Sequence, residues 1–370
     1  MTSTTFGVAN QPALATDRAI EASRSWHLAG MAMLATRLIQ GFIYWGGGSR
    51  RFIYAPSKLD AWGGHNWMAN KFQTAMPGAL FGTEHVISYL LQHFDLLYAG
   101  VILFSAAELI AGVMLMSGLL TRLAALLSMG FSVLLMAMFG WQGATCIDEW
   151  TMAACNLAMG TTLLLGGASA YSLDNVLLGR HPSLADRAWF RWMGGSLPLP
   201  IGNAAFGKLC LALVACVLVY NVGTYSYYRG SVLTPFHGGP VSPTVHHVTL
   251  TDGLILPDRR IRVHAYLDAG TPEAPLHIVQ AAAIGPDKKT ILAIWDDKAL
   301  SHLSKADFAN DYAYNKFGPG PFGIRAPMGA KATIILPLPP GTGPLPDGAL
   351  LKLTDVDGHS FTAPLHTGQQ

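Results

Sequence analysis

The stretch from Leu97 to Arg122 constrains the fold of this chain more than any other part of the sequence. It is apolar from Leu97 to Leu120 except for Glu108, which lies near its middle. An α-helix rises about 1.5 Å per residue, so this run is long enough to cross a hydrocarbon layer about 30 Å thick. A carboxylate at mid-depth costs roughly 2.5 kcal/mol or more and is rarely left facing lipid. We therefore predict a membrane-spanning helix within a bundle, with Glu108 turned towards another helix.

Arg37 is the predicted partner of this carboxylate. Small residues mark the side of a membrane helix that packs closely on a neighbour, and near Glu108 they are Ala107, Ala111, Gly112 and Gly118. Arg37 lies at the centre of a second apolar run, Leu28–Gly48. Ionisable residues inside membrane segments usually pair with one another. We therefore predict an ion pair between Arg37 and Glu108 in the interior of the bundle.

The composition extends this interpretation to most of the chain. Of 370 residues, 51% are hydrophobic and 12% are charged, whereas an ordinary globular domain has about 25% charged residues. The deficit lies almost entirely in the first 228 residues, which predicts a membrane protein with a soluble tail. Met1–Ser25 is polar and has no apolar core, so we expect no cleavable signal peptide.

Missing motifs argue against several classes of protein. The net charge of +2 comes without a basic cluster, so we expect no nucleic-acid partner. None of the four cysteines belongs to a CxxC pair, Walker and CxxCH motifs do not occur, and the chain has no alternating strand and helix pattern of a dinucleotide-binding domain. His246–His247 has no third ligand at a suitable spacing. We therefore predict no metal, haem or flavin.

Apolar runs predict five membrane spans and an order of domains. The spans are Leu28–Gly46, Leu97–Leu120, Leu123–Trp141, Met152–Ala170 and Leu209–Tyr228. The predicted regions are a cytoplasmic tail (1–26), a four-helix membrane bundle (27–180) with a long outer loop (47–96), a cytoplasmic linker (181–207), a fifth transmembrane helix (208–228) and an outer β domain (229–370). A small excess of Lys and Arg near the N-terminal side predicts a cytoplasmic N-terminus in a cell (inner) membrane, with the last domain extracytoplasmic or periplasmic. The reverse orientation stays open.

The residue pattern of the sequence changes after Tyr228. Short β-rich runs alternate with turn residues such as Asp252–Gly253 and Gly285–Pro286, a pattern typical of a small antiparallel β-sandwich. The predicted strands are Val245–Leu250, Ile261–Leu267, Leu276–Ala283, Thr290–Trp295, Thr333–Leu338 and Leu350–Val356. In the outer loop, Glu84–Phe94 is predicted to form a short helix, and Asn310–Ala326 a loop within the β domain.

Spaced residues in the predicted spans resemble the DoxX/DoxD membrane family. The pattern is an arginine in the first span, then E-x3-G-x2-L-x2-G-x2-TR across the second, and it is met by Arg37, Gly41, Glu108, Gly112, Leu115, Gly118, Thr121 and Arg122. The end of the fourth span, Tyr171–Asp174, also fits. Leu28–Asp174 resembles DoxD, and the part from Lys208 onward resembles DoxA, which has one span and an outer β domain. The chain thus resembles a DoxD–DoxA fusion of the thiosulfate:quinone oxidoreductase type.

This resemblance implies a reaction. Two thiosulfate ions are oxidised to tetrathionate on the outer face, and two electrons pass to a quinone in the membrane. Thiosulfate is a dianion, so bringing two ions together requires local cations. Candidates in or next to the outer loop are Arg50, Arg51, Lys58 and His65. The alternative is that Arg50 and Arg51 only anchor the first span to lipid headgroups.

Candidates for the quinone site are Arg37, Trp141 and Asn156, with Glu108 nearby. Two interpretations of Arg37 and Glu108 stay open and are compatible. They form a static ion pair that orders the bundle, or they lie on the proton path to the quinone, where a buried carboxyl takes up a proton. Trp141 is first of all predicted as an anchor at the membrane interface, and Asn156 as a hydrogen-bonding contact between helices.

Cys146 and Cys155 are candidate catalytic residues near one predicted membrane face. Three interpretations stay open: small packing residues, a disulfide in an oxidising compartment, or a sulfur relay in which a thiolate takes up a thiosulfate-derived sulfur before a second thiosulfate attacks. Asp148 and Glu149 would raise the pKa of the Cys146 thiol, which opposes a reactive thiolate unless a cation of the outer loop lies close.

A non-catalytic alternative also stays open. The chain would then be a DoxX-type accessory or assembly subunit of a terminal quinol oxidase or another membrane complex. The basic outer loop favours the enzyme, because an accessory subunit has no need of an anion site. A transporter is disfavoured because the sequence shows no inverted repeat. The predicted partners are thiosulfate, a membrane quinone and the lipid bilayer, and both a homo-oligomer and an association with a terminal quinol oxidase are left open.

Overall fold

The computed structural model describes residues 11–61, 64, 67–142, 149–229 and 239–368. A helical N-terminal region is followed by a C-terminal β-sheet region. The chain divides into two compact units. The first comprises Met1–Tyr54, Phe104–Val133 and Ala154–Val219, and the second comprises Ala55–Leu103, Leu134–Ala153 and Tyr220–Gln370.

Helices account for most of the described residues before residue 230. They are α1 (Gln11–Ala32), α2 (Leu34–Ser49), α3 (Met68–Ala75), α4 (Thr83–Gln92), α5 (Phe94–Ser117), α6 (Thr121–Phe139), α7 (Glu149–Gly166), α8 (Leu173–Arg180), α9 (Ala188–Met193) and α10 (Asn203–Arg229). A π-helical turn, Arg50–Tyr54, follows α2. The predicted N-terminal tail is helical from Gln11, and the predicted linker contains α9.

Three of the described helices are long and apolar enough to cross a membrane, namely α5, α6 and α10. They coincide with the second, third and fifth predicted spans. The first predicted span falls on α1 and α2, which are separated at Met33, and the fourth falls on α7. Long apolar helices are therefore confirmed, while length and composition single out three of the five predicted spans. These apolar helices are compatible with a membrane protein.

In the first unit, glycines let α2 and α5 touch backbone to backbone. A Cβ at Gly41 would lie 2.7 Å from the amide nitrogen of Met116, and one at Gly48 would lie 2.7 Å from that of Leu109. A Cβ at Gly112 would overlap the backbone of Trp45. Small residues permit this close approach of membrane helices. The contact fixes which residues of the two helices face each other.

In the second unit, the β-sheet region consists of two sheets. The strands are β1 (His247–Leu256), β2 (Arg260–Ala269), β3 (Leu276–Ile284), β4 (Ile291–Trp295), β5 (Phe308–Asn310), β6 (Gly318–Gly320), β7 (Gly323–Ala326), β8 (Lys331–Pro337), β9 (Leu350–Asp355), β10 (Ser360–Pro364) and β11 (His366–Thr367), with a short helix α11 (Asp297–Ser301). One sheet has the order β11-β1-β2-β8-β5, and the other has the order β10-β9-β3-β7-β6, with β4 also paired to β3. Their pairings are antiparallel except that between β1 and β11.

Buried residues from both sheets form one hydrophobic cluster, for example Val263 on β2 and Leu353 on β9. All six predicted strands overlap observed ones. The predicted turn at Asp252–Gly253 is wrong, because β1 continues through it with a bulge and Asp252 has a φ of 53°. The predicted loop Asn310–Ala326 is wrong in part, because it contains the hairpin of β6 and β7. These strands are short and rich in Gly and Pro, which hides them from a β-propensity pattern.

Candidate functional site

The first feature of the candidate site is a row of residues along α2 and the turn that follows it. Arg37, Gln40, Tyr44, Gly47 and Arg51 recur at intervals of three and four residues, which places them on one side of a helix. Arg37, Gln40 and Tyr44 are buried. We call this row the polar face of α2. The spacing is visible in the sequence, but only Arg37 and Arg51 of this row were predicted as site residues.

The second feature is an ion pair between Arg51 and Glu108. The Arg51 guanidinium donates to the Glu108 carboxylate, and its Nη1 also lies 3.4 Å from Ser105 Oγ. The Arg51 side chain is 16% exposed and the Glu108 side chain 13%. A Cβ at Gly47 would overlap Glu108 Oε1. The carboxylate therefore occupies the space that Gly47 leaves open, and Glu108 has the inward orientation and the basic partner that its position requires.

The predicted ion pair between Arg37 and Glu108 is wrong. Arg37 donates from Nη2 to the carbonyl oxygen of Tyr171 at 2.6 Å and from Nη1 to that of Ala170 at 3.3 Å. A Cβ at Gly118 would lie 2.8 Å from Arg37 Nη1. Gly118 follows Glu108 by ten residues, or about 15 Å along a helix axis. Arg37 is thus too far along the helix to reach the carboxylate, and its role is to hold the end of the fourth predicted span.

The third feature is a buried polar cluster beside the polar face of α2. Gln40 Nε2 donates to Ser128 Oγ at 3.1 Å and to the carbonyl oxygen of Asn156 at 2.8 Å. The Tyr44 hydroxyl donates to the carbonyl oxygen of Ser128 at 2.8 Å and lies 3.0 Å from Ser132 Oγ. Gln40 Oε1 and Asn156 Oδ1 are buried and have no hydrogen-bond partner among the described residues. Two acceptors therefore remain open to a donor, and Asn156 meets α2 through its backbone carbonyl, so a side-chain hydrogen bond of Asn156 between helices stays a prediction.

Arg122 is a structural residue rather than a site residue. Its fully buried guanidinium donates to four carbonyl oxygens, on Leu164, Arg191, Gly194 and Leu197, at 2.6 to 3.1 Å. These hydrogen bonds hold the segment that was predicted as a cytoplasmic linker against helices α6 and α7. The pattern E-x3-G-x2-L-x2-G-x2-TR thus combines a candidate site residue with a structural one. Its glutamate, Glu108, forms the half-buried ion pair with Arg51, and its arginine, Arg122, holds the backbone of distant segments together.

Asp174 is a second structural residue, and it accepts hydrogen bonds from backbone amides at the start of α6. Its buried carboxylate accepts from the amides of Leu120 (2.8 Å), Thr121 (3.1 Å) and Gly195 (2.7 Å) and from Thr121 Oγ1 (3.3 Å). A carboxylate satisfies the free amides at a helix N-terminus and interacts favourably with the helix dipole. The family-like end of the fourth predicted span is therefore a capping element.

The predicted cationic substrate site is only partly within the described residues. Arg50 is exposed, and Arg51 is engaged by Glu108. Lys58 is half-buried in a 3₁₀ turn, Pro56–Lys58, of the second unit. His65 lies outside the described residues. A joint role of these four residues in binding thiosulfate stays a prediction, with Arg51 now assigned first to the carboxylate.

The cysteine hypotheses also stay open. Cys155 on α7 is exposed, and neither it nor Cys210 and Cys216 on α10 forms a disulfide with another described cysteine. Cys146 lies outside the described residues. Whether Cys146 and Cys155 form a disulfide, act as a sulfur relay or only pack is therefore still a set of predictions.

The predicted role of Trp141 as an interface anchor is wrong, and its role in quinone stacking stays a prediction. Its ring is fully buried and belongs to the hydrophobic cluster that also contains the buried residues of the two β-sheets. Its Nε1 donates to the carbonyl oxygen of Ala75 at 2.8 Å. Tyr228 lies in the same cluster, and its hydroxyl donates to the carbonyl oxygen of Gly78 at 2.9 Å. Trp141 is therefore a core residue of the second unit.

Comparison with known families assigns both halves of the chain. Residues 32–200 match the family described as TQO small subunit DoxD, where TQO denotes thiosulfate:quinone oxidoreductase. Residues 230–363 match the family described as TQO small subunit DoxA. The two matches follow each other without overlap and together cover most of the chain. The chain therefore belongs to the DoxD and DoxA families of TQO small subunits, which it joins in tandem as a DoxD–DoxA fusion.

Proposed function

We propose that this chain is a thiosulfate:quinone oxidoreductase that joins its DoxD and DoxA parts in one polypeptide. Two thiosulfate ions would lose one electron each and join through a new S–S bond to give tetrathionate, and a membrane quinone would take up the two electrons with two protons. The tandem DoxD and DoxA matches carry this proposal, because both families are described as subunits of that enzyme. We place the N-terminus in the cytoplasm and the DoxA region outside the inner membrane, where thiosulfate would arrive.

The Arg51–Glu108 pair supports a role in proton transfer. Quinone reduction consumes protons, and a membrane helix supplies few groups that can carry them. Glu108 is the ionisable residue of the apolar α5 segment around it, is largely shielded from solvent and lies against a cation. Buried carboxyls in membrane segments commonly belong to proton pathways. We assign Glu108 to proton delivery and Arg51 to holding its charged form.

The buried polar cluster fits a quinone in its reduced form. A quinol presents two hydroxyl groups, which need acceptors, and Gln40 Oε1 and Asn156 Oδ1 are buried acceptors without a partner among the described residues. A buried acceptor left unsatisfied costs about 1–3 kcal/mol, so a donor is favoured there. Gln40 and Asn156 would therefore hold the headgroup, with the Tyr44 hydroxyl beside it. When bound, the quinone supplies the two-electron acceptor that this chain's own side chains lack.

The direct test is turnover of the purified full-length chain in detergent with thiosulfate and a short-chain quinone. We expect one tetrathionate for each quinol formed, and ferricyanide in place of quinone reports thiosulfate oxidation alone. Absence of turnover with either acceptor, in a folded preparation, would contradict the proposal and favour the accessory-subunit alternative.

The same assay tests Glu108. Glu108→Gln keeps the shape of the side chain but cannot carry a proton as a carboxylate does, so quinone reduction should fall by about 100-fold, the scale of losing a proton-transfer group. Asp258→Asn is the matched control, because Asp258 pairs with Arg260 on the exposed surface of the β-sheet region, and its turnover should match the wild type. Wild-type turnover in a folded Glu108→Gln variant would remove Glu108 from the proton path.

A further inference from the structure

A second candidate site lies within the β-sheet region. An open pocket of about 670 Å³ falls within the size range of small-ligand sites. It is formed by the segment from β5 to β7, and its lining residues are Lys305, Phe308, Asn310, Asp311, Tyr312, Ala313, Lys316, Phe317, Gly318, Pro319 and Arg325. None of these residues belongs to the polar face of α2 or to its ion pair. The pocket is therefore independent of the site already described.

The charges that line this pocket are mainly positive. Lys305, Lys316 and Arg325 contribute three cations, and none of them forms an ion pair with an acid among the described residues. The one acid of the lining, Asp311, lies 3.7 Å from Lys331 Nζ and 3.6 Å from His264 Nε2. The acid thus contacts Lys331 and His264, which lie outside the lining, and the pocket keeps a net positive charge that favours an anion.

Two aromatic side chains that line the pocket, Phe308 and Phe317, are buried, and we call them its aromatic floor. Pro319 also belongs to the lining. Asn310 accepts from the Phe317 amide at 2.8 Å and donates to the Phe317 carbonyl oxygen at 3.0 Å. This pair of hydrogen bonds closes the loop between the two residues and fixes Phe317. A ligand would therefore meet cations at the rim and aromatic carbon below.

The other side of the same loop is held by the outer-loop helices α3 and α4, within the same unit. Asn315 Nδ2 donates to the carbonyl oxygen of Asn70 and to Thr74 Oγ1, both at 3.0 Å. The hydroxyls of Tyr312 and Ser88 lie 2.8 Å apart. Tyr312 is itself a lining residue, and Asn315 directly precedes the lining residue Lys316. The pocket is thus built where the DoxA-like sheets meet the long loop of the DoxD-like part.

We propose that this pocket binds a sulfur oxoanion of the thiosulfate and tetrathionate class. Such an anion has charged sulfonate-type oxygens at an end and a polarisable sulfur next to them, which carries part of the charge in thiosulfate and is neutral in tetrathionate. The oxygens match Lys305, Lys316 and Arg325 through charge-assisted hydrogen bonds, and the sulfur matches the aromatic floor, as sulfur does elsewhere in proteins. The choice of ligand rests on the proposed function, whereas the anion site rests on the pocket itself.

Calorimetric titration of the full-length chain in detergent tests this proposal, with thiosulfate, tetrathionate and sulfate as separate probes and no quinone present. The triple variant Lys305→Gln, Lys316→Gln and Arg325→Gln should bind thiosulfate or tetrathionate about tenfold more weakly, since each exposed charge contributes modestly. The single variant Lys316→Gln changes one exposed side chain and should show a smaller loss in the same direction. Lys288→Gln, Lys289→Gln and Lys298→Gln together remove three exposed lysines of the same region outside the pocket and should leave binding unchanged.

The three probes separate the ligand from charge alone. Weaker binding of sulfate than of the two sulfur-chain anions supports the role of the aromatic floor, and equal binding of all three overturns that choice of ligand. If the pocket triple variant and the control triple variant lose the same amount of affinity, the pocket is not the binding site. If the protein binds these anions through the pocket but shows no turnover, the proposed function fails and the anion site stands. If turnover occurs and the pocket variants bind and turn over as the wild type does, the anion site fails and the proposed function stands.

Discussion

At the scale of single residues, Gly47 determines where the Glu108 carboxylate lies. A Cβ at Gly47 would overlap Glu108 Oε1, whereas a Cβ at Gly46 would meet nothing within 4 Å. We predict that Gly47→Ala displaces the carboxylate from Arg51 and lowers quinone reduction by about tenfold or more, because small misplacements of a reacting group have large effects on rate. The measurement is steady-state turnover with thiosulfate and a short-chain quinone.

Gly46→Ala is the matched control for this change. It adds the same methyl group one residue earlier on α2, so it should leave turnover unchanged. Both variants should retain the thermal stability of the parent within a few degrees, since the atom that must move at Gly47 is the end of a flexible side chain. Equal turnover of the two variants would show that the position of the carboxylate does not matter for the reaction.

At the scale of elements, the contact between α2 and α5 depends on Gly112. A Cβ there would overlap the backbone of Trp45, and backbone atoms cannot move aside without separating the helices. We predict that Gly112→Ala destabilises the protein by about 1–3 kcal/mol, as overpacking usually does. Thermal unfolding in detergent measures this effect. Gly100→Ala on the same helix places its Cβ in open space and should be neutral or slightly stabilising. Equal melting temperatures for the two variants would argue against the close packing.

A second element, β3, makes the β-sheet region sensitive to pH. Burial, followed by the nearby charges of Arg325 and His246, lowers the pKa of His277 from its ordinary value, and its Nδ1 is buried without a partner among the described residues. The unfolded chain binds a proton at His277 more readily than the folded chain does. The contribution of neutral His277 to the stability of the fold is therefore fully present above about pH 6.5, and it is lost as the pH falls towards the lower pKa of the folded state. The melting temperature should therefore decline below pH 6.5.

His277→Gln should reduce this decline, since glutamine does not titrate. The control is His302→Gln, which removes an exposed histidine of the same region and should leave the decline in place. Thermal unfolding followed by near-ultraviolet circular dichroism between pH 5 and pH 7.5 provides the comparison. A decline of the same size in the parent and in His277→Gln would assign the pH dependence to other groups.

At the scale of the whole molecule, the second unit joins segments that are far apart in the chain. Gln73 on α3 is completely buried and donates to the carbonyl oxygens of Asn315 (2.8 Å) and Gly329 (2.9 Å). Its Oε1 accepts from the Asn315 amide at 2.9 Å. A Cβ at Gly329 would overlap the carbonyl oxygen of Gln73. The outer loop and the β-sheet region are therefore one folded unit rather than two attached pieces.

We predict that Gln73→Ala weakens this unit by about 1–3 kcal/mol, because it leaves a buried amide and two carbonyl groups without partners. Hydrogen exchange should speed up at the amide of Asn315 and around it. Gln92→Ala removes an exposed glutamine of α4, whose side chain lies 3.4 Å from Ser88 Oγ, and should leave exchange at Asn315 unchanged. Wild-type exchange in Gln73→Ala would show that these hydrogen bonds do not hold the loop to the sheets.

Also at this scale, local patterns were sufficient to predict apolar helices followed by a β-sheet region. Uninterrupted apolar runs require helices in a membrane, and alternating β-rich runs separated by Gly and Pro require strands. Both signals lie within a few neighbouring residues, so the division into apolar helices and β-sheets after Tyr228 was readable, as was the membership in the DoxD and DoxA families. The short strands β6 and β7 were missed, since their sequence Gly318–Gly320 and Gly323–Ala326 has little β propensity.

The sequence alone also determined that Glu108 needs a basic partner inside a helical bundle, because the cost of an unpaired charge in an apolar layer does not depend on the details of packing. Which base it meets was decided by the tertiary structure. The glycine contacts between α2 and α5 set the offset of the two helices, and that offset brings Arg51 to Glu108 and leaves Arg37 at the far end. The burial of Trp141 and the cationic pocket of the β-sheet region likewise depend on contacts between residues distant in the chain, which no local pattern encodes.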